Sequence, residues 1–385
     1  MALSHSPLIV TDGLVFMYDT GNRKSYVGEP TTNVNTFTLS DAGTDGSGQS
    51  SVGTRTLITD NHARIVDVSS NTRQHHLITG LTASTTYTIS IMYKKLGGTP
   101  TFRFQIQDYS GSAYLRTIKF TNTTEIGIED KEGWQQASWT FTLGSDANAV
   151  RIWYQDGADY TTYSHSFELK NPQLEAKSHA TPFVDGTRSA TQGLIDRTNN
   201  ATINLSNASF DSDAQMVFDG TDDYINAAAF DMGTPTDITL ECFIRFNGSL
   251  DSADRKVMHY NKTGGTNAVF QLRKGDSISR LMYQAHNGSQ WYTMTDTDAV
   301  ESDTWAHFMI THSGTSAIMY KNGVQSATAT MGNLHWTNAN NLLIGYRANS
   351  EYWKGDISIM KIYDRALTSA EVLQNYNAIK SRFGL

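Results

Sequence analysis

Strict alternation of apolar and polar residues, with a period of two, is the feature that most constrains this chain. Phe102-Arg103-Phe104-Gln105-Ile106-Gln107 puts three apolar side chains on one face and three polar ones on the other, and 87–93 follows the same rule. That is the pattern of a half-buried strand. Further strands are expected over 137–143, 150–155 and 166–169, and again over 215–218, 238–246, 270–273, 281–285, 306–311 and 317–320. Clusters of Gly, Asn, Asp and Thr separate them, as turns require. Many short strands with such punctuation predict sandwiches or jelly rolls, so the fold class expected is all-β.

Two local signals sharpen the C-terminal part. Asn322-Gly323 tolerates the positive φ of a type I′ hairpin turn. Thr368-Ser369-Ala370-Glu371 reads as a capping box, and Val372, Tyr376, Ile379 and Phe383 then fall on one helical face. A single C-terminal helix is therefore expected to pack back on a sandwich.

A chain of 385 residues has room for two to three domains at roughly 100–200 residues each. Its net charge of −8 argues against phosphate binding, so no nucleic acid is expected as a partner. Cys242 is the only cysteine, which excludes an intrachain disulfide and a cysteine zinc cage. Residues 1–7 lack the basic and apolar regions of an export signal, and no apolar run nears the ~18 residues of a membrane helix. No membrane insertion is expected.

Five motifs then occur in order: Val217-Phe218-Asp219-Gly220-Thr221-Asp222-Asp223-Tyr224-Ile225; Asp237-Ile238-Thr239-Leu240-Glu241; Asp303-Thr304-Trp305-Ala306-His307-Phe308; Met319-Tyr320-Lys321-Asn322-Gly323-Val324; and Gly355-Asp356-Ile357-Ser358 through Ile362-Tyr363-Asp364-Arg365-Ala366-Leu367. Together they resemble the concanavalin A-like, laminin-G-like jelly rolls. Gly13-Leu14-Val15-Phe16-Met17-Tyr18-Asp19 resembles the opening strand of the same family, whereas the turn that follows it in the family is matched only at Ile195–Ile203. The economical reading is an insertion. Residues 8–30 supply the first strand, 31–187 form an inserted jelly roll, and 188–385 complete the first fold.

Within the insert, Gly133-Trp134-Gln135-Gln136-Ala137-Ser138-Trp139 and Asn171-Pro172-Gln173-Leu174-Glu175 with Ala180-Thr181-Pro182-Phe183 resemble the galactose-binding-like jelly rolls of carbohydrate-binding modules. Joined to the terminus Leu373-Gln374-Asn375-Tyr376 … Arg382-Phe383-Gly384-Leu385, they also resemble structural proteins of tailed bacteriophages. That resemblance implies a non-enzymatic protein of the virion surface, assembled in the host cytoplasm, as capsid decoration or a tail or fibre component. Its partners would be other virion proteins and host surface polysaccharide.

Catalytic signals are weak. Glu125-Ile126-Gly127-Ile128-Glu129 has glycine where laminarinase-type glycosidases carry the middle carboxylate of three. His75-His76 point to opposite faces of any strand, His307 reads as a surface or satisfied core residue, and no nucleophile elbow or Walker loop occurs. No cofactor is required. A structural calcium ion is suggested by Asp219, Asp222 and Asp223, three carboxylates in five residues, with backbone capping as the alternative.

Sugar binding is expected on two surfaces. If the insert's strands around 105 and 152 are neighbours, Arg103, Gln105 and Gln107 share an outward face with Arg151, Trp153 and Gln155. One aromatic platform among planar donors suits a sugar, and an ordinary polar face is the alternative. In the C-terminal region, Trp291, Tyr292, Trp336, Tyr346, Tyr352 and Trp353 fall in or beside loops, whereas Trp305 is expected to close the core. A cellular lectin or adhesin is the second functional class, and a glycoside hydrolase the third.

Overall fold

The computed structural model describes residues 8–35, 54–66, 73–97, 102–120, 125–126, 130, 132–156, 166–210, 216–249, 251–261, 268–275, 279–336, 341–347 and 351–385. Two compact units divide the chain: a host unit of 1–30 with 189–385, and an inserted unit of 31–188. Of the expected strand 215–218, Gln215 lies outside the described residues, and Val217–Asp219 is the strand formed.

The host unit is a sandwich of two antiparallel sheets. The first runs Leu14–Asp19, Lys354–Tyr363, Asp237–Phe246, Trp305–Ser313, Ser316–Lys321, Val324–Thr330, with Val217–Asp219 also pairing Lys354–Tyr363. The second runs Thr202–Asn207, Tyr224–Ala228, Asn341–Ile344, Arg255–Asn261, Ala268–Lys274, Arg280–His286, Trp291–Ala299. Alternate residues of both meet in one core that includes Phe16, Leu240, Cys242, Phe270 and Tyr283. The opening strand closes that sheet from far away in sequence, Phe16 pairing with Ile362.

Asn322 and Gly323 both hold positive φ, 52° and 77°, as the hairpin turn between their strands requires. Thr368 caps the helix Ser369–Ile379 reciprocally with Glu371. The helix covers the outer face of the first sheet, where Val10, Met309, Tyr363, Leu367 and Val372 form a small core of their own. It does not run on to Phe383: Lys380–Phe383 tightens into a 3₁₀ turn, and Phe383 stacks on Phe243 with centroids 4.6 Å apart. Among the described residues no helix is long and apolar enough to cross a membrane.

The inserted unit is a smaller sandwich. One sheet runs Thr54–Thr59, His62–Val66, Ser166–Glu175, Thr86–Gly97, Trp134–Thr142, Glu125–Ile126, and the other Arg73–Thr79, Ala149–Asp156, Phe102–Ser110, Ala113–Phe120. Ile89, Ile91, Ile106, Val150 and Ile152 fill the space between them. Its two ends lie side by side, since Thr31–Thr32 pairs antiparallel with Thr187–Arg188.

Candidate functional site

In the inserted unit the strands Phe102–Ser110 and Ala149–Asp156 are neighbours, and their register sets Arg151 opposite Gln107, Trp153 opposite Gln105 and Gln155 opposite Arg103. Ile106, Val150 and Ile152 take the inner face, so the alternation turns Gln105, Gln107 and Arg151 outward. On the flanking strand, Leu77 and His75 continue the same two rows. Of Arg103, Trp153 and Gln155 the structure describes the strand position alone. The described side chains form a connected group: the Arg151 guanidinium carbon lies 4.6 Å from the Tyr109 ring centre, and the Tyr109 hydroxyl donates to Gln107 Oε1 at 3.4 Å. Tyr114 meets Tyr109 edge-on at 5.8 Å and is 54% exposed, which offers an aromatic surface. Sequence reading missed both tyrosines. Tyr109 is the next outward position after Gln107, and Tyr114 faces it across the Gly111 turn.

On the host unit, the outer face of the second sheet carries a polar ladder. Asn204 pairs Asn226, and Leu343, opposite Asn226, in turn pairs His259. The row continues through Gln271 and Gln284 to Thr293. Gln271 Nε2 donates to Gln284 Oε1 at 2.6 Å, and Gln284 Nε2 to Thr293 Oγ1 at 2.8 Å. Burial, with the positive charge of Arg347, lowers the His259 pKa to about 3, so its imidazole is neutral. Beside this row, Lys256 is fully buried and donates to Asp254 Oδ2 at 2.8 Å, with Glu351 at 3.2 Å and Arg273 also on Asp254. Trp291 ends the face half-buried, edge-on to His286 at 5.1 Å.

The remaining aromatic expectations divide. Trp353 is fully buried against Phe246 at 5.6 Å and presents no surface, which corrects its assignment to a binding loop. Gly345 holds φ of +79° and takes the Trp353 N–H on its carbonyl at 2.8 Å, folding the loop inward. Tyr292 and Trp336 are half-buried and packed on the same core, the Trp336 indole donating to the Pro235 carbonyl at 2.9 Å. Tyr352 stacks on Tyr346 at 4.6 Å, and Tyr224 adds a third ring at 4.7 Å. Trp305, expected in the core, is instead half-buried on the outer face of the first sheet. In Trp305-Ala306-His307-Phe308-Met309 both parities are apolar or buried, because the helix covers the second face, and alternation cannot assign the ring.

Asp219, Asp222 and Asp223 bring carboxylate oxygens within 4.8 Å of one another. Two of the three also cap backbone N–H groups. Asp223 accepts the N–H groups of Ser209 at 2.7 Å and Asp219 at 2.9 Å, while Asp219 Oδ1 accepts those of Thr221 and Asp222. Arg255 Nη1 donates to the Gly220 carbonyl at 2.8 Å, bringing a fixed positive charge to the turn.

Gly127 and Glu129 lie outside the described residues. His76 and His307 are buried, and of His75 only the strand position opposite Trp153 is described. Cys242 is buried, and burial, with the Glu241 carboxylate, raises its thiol pKa.

Residues 219–373 match the concanavalin A-like lectin/glucanases superfamily. No curated protein matches the chain. Among solved structures, the CBM40 of a Ruminococcus gnavus sialidase bound to sialyllactose is 16% identical over 36% of this chain and 82% of its own, with a TM-score of 0.31. A pentraxin of Limulus polyphemus is 20% identical over 41% and 78%, with a TM-score of 0.33. The botulinum neurotoxin serotype G binding domain is 15% identical over 48% of each chain, with a TM-score of 0.39. With the two-sheet architecture and the ordered motifs, the family match leads to one statement: residues 219–373 form a concanavalin A-like, laminin-G-like jelly roll.

Proposed function

We propose that this is a non-catalytic glycan-binding protein whose main platform is the outward face of the four-stranded sheet in the inserted unit. The observation that carries the reading is the Arg151, Gln107 and Tyr109 group beside the exposed Tyr114 ring. Sugars are held by stacking on aromatic faces and by planar groups that offer two hydrogen bonds at once. Binding rather than cleavage is favoured because glycoside hydrolysis needs two available carboxylates flanking the bond. Asp254 and Glu351, which border the host unit's second sheet, are tied up by Lys256, Arg273 and Arg347.

A glycan array with the full chain tests this. Arg151→Ala and Tyr114→Ala, checked for unchanged folding by circular dichroism, should each weaken the best signal by about tenfold or more, in line with 1.5–3 kcal/mol for a charged hydrogen bond. Retention of full signal in both variants would sink the reading.

A place on the surface of a bacteriophage particle, among other virion proteins, is a second proposal. It rests on the motifs at 133–139, 171–183 and 373–385. Fab labelling of purified particles tests it, and an unlabelled particle would leave a cellular lectin or adhesin as the bearer. For Asp219, Asp222 and Asp223 we propose backbone capping as the role, with calcium as the rival that chelation tests.

A further inference from the structure

We propose that the host unit holds a second saccharide site, separate in residues from the sheet face above, in a cleft on the outer face of its first sheet. The cleft has a volume of about 330 Å³, and Arg245, Trp305, Asp356, Ser358, Arg382 and Phe383 supply its chemistry. That volume falls at the lower end of the ~300–1,000 Å³ typical of small-ligand sites.

Both arginines are fixed rather than free to swing. Arg245 donates through Nε to Asp356 Oδ2 at 2.8 Å, which leaves its Nη groups outside that bond, and its guanidinium lies 5.3 Å from the Trp305 ring centre. Arg382 donates from Nη1 to Asp19 Oδ1 at 2.6 Å and from Nη2 to Ser358 Oγ at 3.1 Å. A Cβ on Gly21 would overlap the Arg382 guanidinium, so the glycine is what lets this arginine lie down across the strand end. Phe383 packs beside Trp305 with the two rings tilted by 53° and their centres 4.6 Å apart.

Charge selects the ligand class. Two guanidiniums are matched by two carboxylates, Asp19 and Asp356, so the site is close to neutral overall. An anion would meet the carboxylates and a cation the arginines. A neutral, hydroxyl-rich ring can accept from arginine, donate to aspartate and lay its C–H face on Trp305. The class inferred is a neutral pyranose, such as a terminal hexose or N-acetylhexosamine.

Saturation-transfer NMR on the full chain, with the methyl glycosides of glucose, galactose, mannose and N-acetylglucosamine, is the test. At least one should bind, and Trp305→Leu and Ser358→Ala should weaken it at least tenfold and a few-fold, respectively. All of these measurements are made on an Arg151→Ala background, so that the sheet face of the inserted unit does not contribute to the signal. If Trp305→Leu fails to fold, the parent's indole resonances serve, since sugar must shift the one that disappears in Trp305→Phe. In that background, binding of none of the four, or binding of N-acetylneuraminic acid in their place, would each overturn the proposal. Failure of the inserted-unit platform would read differently, as array signal indifferent to Arg151→Ala.

Discussion

Asn375, on the C-terminal helix, donates from Nδ2 to Glu241 Oε2 at 2.7 Å, across 134 residues of sequence. Glu241 Oε1 accepts from Lys361 Nζ at 2.7 Å, and Asn375 Oδ1 takes the Val10 N–H at the same distance. One buried amide therefore joins the helix, two strands of the first sheet and the N-terminal segment. Burial alone would raise the Glu241 pKa, but Lys361 and then His307 outweigh it and bring it down to about 2.

Asn375→Ala should cost about 3–5 kcal/mol, because it leaves a buried carboxylate oxygen and the Val10 N–H without partners. Asn375→Asp should fare no better, since it sets a second carboxylate against Glu241. Urea unfolding of the host unit measures both. A loss under about 1 kcal/mol in either would show that water replaces the amide.

Acid should unfold the host unit early. Burial lowers the pKa of His259, His307 and His312 below the ordinary 6.5. His312 shows why: its Nδ1 pairs with the Tyr283 hydroxyl at 2.8 Å and its Nε2 with the Gly314 carbonyl at 2.9 Å, an arrangement that suits one neutral tautomer. Depressed folded values mean that the unfolded chain binds more protons below pH 6.5, so stability falls as pH falls. Each histidine contributes about 1.4 kcal/mol per pH unit while only its unfolded form titrates. Glu241 adds a loss of the same sign between pH 4.5 and about 2. Urea midpoints taken from pH 8 to pH 4.5 should be level above 7 and drop steeply below 6.5, and a flat profile would contradict neutral burial.

If Asp223 is a cap, Asp223→Ala should destabilise by roughly 2–3 kcal/mol, the cost of two stranded N–H groups. EDTA should then leave the melting temperature of the parent protein where it was. A rise of several degrees with millimolar calcium would instead mean that the folded state binds the ion.

Much of this architecture is legible in the chain because strand alternation and caps are local. Thr368 with Glu371, Asn322-Gly323 and the 102–107 alternation each depend on residues a few positions apart, and each forms as the local chemistry dictates. What escapes is set by register between distant strands. Glu241 and Lys361 face each other only because Asp237–Phe246 lies beside Lys354–Tyr363. The polar row through His259, Gln271 and Gln284 needs the register of three adjacent strands before it exists. Burial of Trp353 and partial exposure of Trp305 exchange the roles that loop position and strand position suggest, because a helix covers one sheet face and a loop folds inward at Gly345.

The pairing of Thr31–Thr32 with Thr187–Arg188 leaves the inserted unit's two ends about 5 Å apart, the width of one antiparallel rung. A host loop need widen by no more than a hairpin to receive it. A different unit whose ends lie as close would fit the same opening without rerouting the host strands. Insert and scaffold are then free to change at different rates.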